Sequence, residues 1–196
     1  MMVARIVQIQ TVGSPSTDGD RTVVQEGLME PDGLPPKNPD DPLVALTACH
    51  AKIRQYMEGL TRLVTLPDLR DPRVIPSAQM AVRYFSIGLP LHAADEDDSI
   101  APRLATRVPG SEALLDALEL EHGGIDACLA RLIPLLSVLA EGGQPSRAAL
   151  RAEVGFLRDI LLPHIEREEA ELFPLLASLT PLDRAQIGRE MVSRRV

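Results

Sequence analysis

The chain has no tryptophan, only two tyrosines and three phenylalanines, two cysteines and four histidines in 196 residues. So few aromatics argue against a β-rich domain, which draws its packing from aromatic and β-branched side chains. Two scattered cysteines, Cys49 and Cys128, exclude a disulfide scaffold and fit a reduced, cytoplasmic setting. Basic residues are outnumbered 20 to 28, giving a net charge of −8, so neither nucleic acid nor an anionic membrane is an expected partner. No apolar run looks long enough to span a bilayer. The start MMVARIVQIQ lacks the basic region and cleavage site of a secretory signal. What remains is a Leu- and Ala-rich composition, 45% hydrophobic, that favours helices.

Residues 1–41 differ from the rest. VARIVQIQTV and RTVVQEGLM are short β-prone runs separated by SPSTDGD, so the segment reads as a hairpin or a loose tail. PDGLPPKNPDDP then places five prolines in twelve residues, a linker or extended strap. This extension is also the segment through which a protein partner or a second copy would attach.

From Pro42 to Val196 the pattern is helical. Leu43, Leu46, His50, Ile53, Met57, Leu60 and Val64 form one stripe in alternating steps of three and four. A second stripe runs through Val82, Phe85, Leu89, His92, Glu96 and Ile100. A third, capped by Ser111, runs through Leu115, Leu118, His122, Ile125, Leu129, Leu132, Leu136 and Leu139. The fourth passes through Leu150, Val154, Leu157, Leu161, His164, Glu168 and Leu172, and Thr180–Pro181 opens a short fifth helix. The expected fold is all-α, an antiparallel up-down four-helix bundle with an irregular or hairpin N-terminal extension and a short C-terminal helix. Pro90, Pro134 and Pro163 fall inside these helices, where kinks are expected.

All four histidines lie on inward stripes, and a shift of 72 residues superimposes them in pairs. His50 maps onto His122, His92 onto His164, and Glu96 onto Glu168. Each half thus contributes one histidine and then His-x-x-x-Glu, whose two side chains stack one turn apart. Two unpaired buried carboxylates would cost several kcal/mol each, roughly, and cations between them remove that penalty. Four imidazoles and two carboxylates are too many for one tetrahedral zinc, and a donor set without thiolate suits iron. Two bridging carboxylates and four histidines fill about eight of roughly twelve positions around two six-coordinate ions. An oxo or hydroxo bridge would take two more, leaving room for a small exogenous ligand.

ACHAKI around His50, HAADE at 92–96, LELEHGGI around His122 and HIEREEAELFPLL at 164–176 resemble the hemerythrin-like HHE cation-binding family over residues 42–178. GREMVSRR resembles the close of bacterial members. The resemblance implies a four-helix bundle holding two non-haem irons on His50, His92, Glu96, His122, His164 and Glu168. Oxygen-carrying members have a fifth histidine one turn after the third; here that position is Asp126. The chain therefore resembles the four-histidine, two-carboxylate subgroup, which includes iron-sulfur-repair-type and iron- or oxygen-sensing proteins. The repair type carries a cysteine-bearing N-terminal segment, and residues 1–40 contain no cysteine. Asp126 is a seventh ligand, an acceptor for a ligand imidazole, or a solvated aspartate. Arg54, its repeat counterpart, is expected to be exposed or paired with it. Among the acids flanking the two glutamates, Asp95, Asp97, Asp98, Glu166, Glu169 and Glu171, most are expected on solvated faces and one as an outer-shell base or an alternate ligand; Tyr56 and Tyr84 are expected in the core and Cys49 buried. The functional expectation is a centre that binds dioxygen, nitric oxide, peroxide or iron in sensing, storage or stress response. The alternative is an oxidase or oxygenase acting on a small organic substrate.

Overall fold

A computed structural model describes Leu28 and residues 41–195. The hairpin or tail expected over residues 1–41 lies almost wholly outside the described residues. Leu28 is buried, and its carbonyl accepts a hydrogen bond from Arg62 Nη2 at 3.2 Å.

Among the described residues there are five helices and no strand. Helix α1 is Pro42–Thr65, with Asp41 as N-cap accepting from the Leu43 amide at 3.0 Å and Pro42 in the first turn. Helix α2 is continuous through Val74–Arg83, Leu89–Asp95 and Ala101–Arg107, joined by π-helical turns at Tyr84–Gly88 and Glu96–Ile100. Helix α3 is Glu112–Ala140. Helix α4 joins Arg147–Arg167 to Phe173–Ser178 through a π turn at Glu168–Leu172. Helix α5 is Pro181–Ser193, capped by Thr180, whose hydroxyl accepts from the Asp183 amide. The long helices pack in a ring, α1 on α2, α2 on α3, α3 on α4 and α4 on α1, and α5 lies against α1 and α2.

Local chemistry explains most boundaries. Helix α3 ends in a Schellman arrangement: Gly143 N–H bonds Val138 O, Gly142 N–H bonds Leu139 O, and Gly142 adopts φ +81°. Ser111 precedes α3 but does not cap it. Its backbone is already helical (φ −78°, ψ −14°), so the buried hydroxyl cannot swing onto the first amides.

The three π turns share a signature. Each ends one residue before an X-Pro pair, Leu89-Pro90, Ala101-Pro102 and Phe173-Pro174. A proline ring inside a helix collides with the carbonyl four residues back, and the wider i→i+5 turn gives it room. Beside the second of these turns the Ser99 carbonyl accepts from Arg103 Nη1 at 2.7 Å. Only Pro90 among the three expected kinks coincides with such a turn. Pro134 and Pro163 sit in uninterrupted α-helix, on exposed faces where water reaches the carbonyls they leave free.

The expected stripes are buried almost residue for residue. They form two apolar clusters, a larger one around Ile53, Phe85, Leu132 and Leu157 and a smaller one around Leu46, Ile100, Leu104, Leu176 and Ile187. The tyrosines pack as expected, Tyr56 stacked on Tyr84 with centroids 4.0 Å apart. One expectation is corrected in α3. An 18-residue window there has a mean hydropathy of 1.6, long and apolar enough to cross a bilayer by length and composition. About a third of that window is buried, on the face that meets α2 and α4.

Helix α5 is tied to α2 through charge. Asp95 is fully buried and receives Arg194 Nη1 at 3.0 Å and the guanidinium of Arg195, while Arg103 forks onto Glu190 at 2.7 and 3.0 Å. Removing one member of a buried pair leaves its partner's charge without compensation. Asp95→Ala is therefore expected to lower the stability of the metal-free protein by about 3 kcal/mol. Urea unfolding measures this, and a loss below about 1 kcal/mol would mean that the Asp95 pairs do not hold α5.

Candidate metal centre

The π turns bear directly on the centre, because two of them begin at Glu96 and Glu168. The buried positions there run 92, 96, 100, 104 and 164, 168, 172, 176, three successive steps of four. In a regular α-helix three such steps would drift roughly 120° around the axis. The extra residue in each wide turn absorbs that drift, so histidine, glutamate and the leucine or isoleucine beyond them stay on the inward face.

The side chains meet in two groups of four. His50, His92, Glu96 and Glu168 each bring one ligand atom within 4.8 Å of the others, and so do Glu96, His122, His164 and Glu168. Both glutamates belong to both groups. All six residues are buried, and the two histidine pairs are arranged alike, His50 on His92 at 5.0 Å and His122 on His164 at 4.7 Å, each edge to face. Phe173 stacks on His50 at 4.9 Å.

Three imidazoles are held from behind by carboxylates. His50 Nδ1 donates to Glu169 Oε1 at 2.9 Å, His122 Nδ1 to Asp97 Oδ1 at 2.9 Å, and His164 Nδ1 to Glu121 Oε2 at 2.8 Å. Arg54 forks onto Glu169 at 2.8 Å through both nitrogens, and Arg167 pairs with Glu121. These bonds fix the orientation of each ring, Nδ1–H towards the carboxylate and Nε2 turned inward.

The inward atoms lack what a protein interior normally supplies. Ten buried side-chain polar atoms have no hydrogen-bond partner among the described residues, and eight belong to this centre. They include His50 Nε2, His122 Nε2, both nitrogens of His92 and all four oxygens of Glu96 and Glu168. Glu168 Oε2 lies 3.1 Å from His50 Nε2 without hydrogen-bond alignment. Bare lone pairs converging in two groups are what cations need and what a cation-free core avoids.

Titration reflects the same crowding. Burial and the neighbouring Glu168 raise the Glu96 carboxyl well above its usual range. Burial opposes ionisation of Glu168 too, but His122, His164 and His50 outweigh it and hold that carboxyl well below its usual range. Burial works against a charge on His122, yet Asp97, Glu168 and Glu96 push it up to about 12. His92, with no carboxylate behind it, is driven down to about 3, chiefly by burial.

Several expectations change here. Asp126 belongs to neither group; it is exposed at the rim of a small cavity beside His92, His122 and His164, too far out on its helix face to share the buried atoms. Arg54 pairs with Glu169 rather than Asp126, its side chain still 41% exposed. The flanking acids divide. Asp97 and Glu169 hold the imidazoles of His122 and His50, Asp95 ties down α5, and Asp98, Glu166 and Glu171 are exposed. Glu121 was not singled out by spacing, although it immediately precedes His122. Cys49 is buried as expected, its thiol pushed up to about 12 by burial.

The model of the hemerythrin HHE cation binding domain matches residues 41–176. The chain belongs to the hemerythrin HHE cation-binding family. An uncharacterized protein of Haemophilus influenzae is 28% identical over 88 residues, 42% of this chain and 49% of the relative. The chain thus spans about half the length of that curated relative. The family match and the two His/Glu groups agree on a cation site in the middle of an all-α bundle.

Burial and Glu168 disfavour a charge on metal-free Glu96, so Glu96→Gln puts a neutral side chain of the same shape where the charge is already opposed. The variant is expected to match the metal-free protein in stability to within about 1 kcal/mol. It should also lose most of the rise in melting temperature that added metal gives the unsubstituted chain. A large loss of metal-free stability would instead mark Glu96 as an ionised structural partner. Burial and Glu168 raise the Glu96 carboxyl, and Asp97, Glu168 and Glu96 raise His122, so metal loading is expected to release protons and affinity to fall as pH falls. Metal titration in weak buffer with a pH indicator reads this, and uptake without proton release would contradict it.

Proposed function

We propose that this HHE protein holds two non-haem irons, on His50, His92, Glu96, His122, His164 and Glu168, and binds a small ligand there. Dioxygen, nitric oxide or peroxide is the ligand class, in sensing, storage or stress response. The observation that carries the reading is the sharing of Glu96 and Glu168 between two groups of ligand atoms. One ion would leave two imidazoles idle, whereas two ions use every inward lone pair. Imidazole and carboxylate without thiolate favour iron over copper(I) or a structural zinc. Bound iron supplies reversible electron transfer and open coordination positions.

The residues around the centre set what can reach it. A cavity of about 20 Å³ opens beside His92, His122 and His164, lined by Leu89, Pro90, Ala93, Ile125 and Leu161 with Asp126 at its rim. Such a space admits a molecule about the size of water. Its apolar wall and exposed carboxylate disfavour anions, and an organic substrate does not fit without rearrangement. This size limit favours ligand binding over an oxidase or oxygenase acting on a bulky substrate. The carboxylates behind His50, His122 and His164 hold the rings while a ligand comes and goes.

Protein purified without oxygen is expected to contain two irons per chain and to change its absorption spectrum on exposure to air and to nitric oxide. One metal per chain, or zinc with a spectrum indifferent to both gases, would overturn the reading. Oxidation of an added organic compound with turnover would shift it to the enzyme alternative.

A further inference from the structure

The 72-residue repeat assigns each imidazole a counterpart, and the carboxylates behind the rings follow it in all places but one. His50 with Glu169 maps onto His122 with Asp97. His164 with Glu121 maps onto His92 with position 49, and position 49 is a cysteine. Cys49 is buried there, near enough to Glu96 and Asp95 to feel their charges. A thiol is a weak acceptor. His92 Nδ1 has no hydrogen-bond partner among the described residues although His92 is only 3% exposed.

The arginines do not restore the balance. Arg54 draws charge from Glu169 on one side and Arg167 from Glu121 on the other, one in each half. The half containing His122 and His164 therefore has two carboxylate-backed rings, and the half containing His50 and His92 has one. A carboxylate accepting from Nδ1–H orients the ring and strengthens the opposite nitrogen as a donor to metal, worth about 10–100-fold in affinity.

We propose that the two halves of the centre are unequal by construction. The His122–His164 half takes its metal first, and the His50–His92 half takes the second more weakly, because Cys49 stands where a carboxylate would support His92. This rests on the two-metal reading above. It makes one ion the more exchangeable and fixes which one.

Two successive steps alone would not prove the point, since two neighbouring cations repel even in a symmetric site. The decisive observation is which step responds when one carboxylate is removed. Metal-free full-length protein is titrated with Co²⁺ against a competing chelator, alongside Glu121→Ala and Cys49→Glu. Glu121 is 31% exposed, so its replacement leaves the fold intact, as helical circular dichroism would verify. Glu121→Ala is expected to weaken the first step by about 10–100-fold and leave the second nearly unchanged. Cys49→Glu, where it folds, is expected to tighten the second step and leave the first nearly unchanged. If Glu121→Ala weakens only the second step, or alters neither, the halves are equivalent and the proposal fails. Saturation of the unsubstituted chain at one Co²⁺ overturns the two-metal reading itself, a failure told apart by stoichiometry.

Discussion

Two carboxylates at the centre of a helical bundle set the terms for everything around them. Glu96 and Glu168 are 3% and 0% exposed, face each other across the core, and have no hydrogen-bond partner among the described residues on any of their four oxygens. An interior of leucine and isoleucine penalises that arrangement severely. It persists because four imidazoles surround it with lone pairs directed at the same space, and a cation compensates all of them at once. The apolar clusters on either side of the centre keep water out, which strengthens each electrostatic contact within.

The backbone is shaped to the same end. The wide turns at Glu96–Ile100 and Glu168–Leu172 let each helix place a histidine, a glutamate and then core residues at steps of four on one face. Pro102 and Pro174 stand where such a turn relieves the collision their rings would cause. Irregularity and function coincide here, as is common for π turns inside helices. The buried Asp95 next to Glu96 adds a second constraint, since Arg194 and Arg195 reach it from α5 and pin the C-terminal helix over the glutamate-bearing turn.

Around the ligands, the pseudo-twofold repeat is more exact in backbone than in side chain. The wide turns at Glu96–Ile100 and Glu168–Leu172 and the prolines after them recur at a spacing of 72, as do the edge-to-face histidine pairs, whereas the turn at Tyr84–Gly88 has no counterpart among the described residues. Asp97 and Glu169 keep the symmetry while Glu121 and Cys49 break it, so the departure is confined to one imidazole. Asp126 and Arg54, which the repeat also places opposite each other, diverge completely. One is left at a cavity rim and the other forks onto Glu169.

The helices and the six inward residues were legible in the chain itself. Amphipathic period and the 72-residue echo depend only on residue order, and burying a stripe that contains His92 and Glu96 leaves little choice of chemistry. The steps of four after each glutamate were also present, but a run of fours reads as a drifting α-helix until a wide turn is known to absorb it. The partners behind the histidines were not legible. His50 and Glu169 are 119 residues apart, His164 and Glu121 43, and their approach depends on how helices rotate against one another. Residue order determined which side chains face inward, because that follows from the geometry of one helix. Tertiary packing decided which outer acid reaches which ring, because that depends on the relative rotation of several helices.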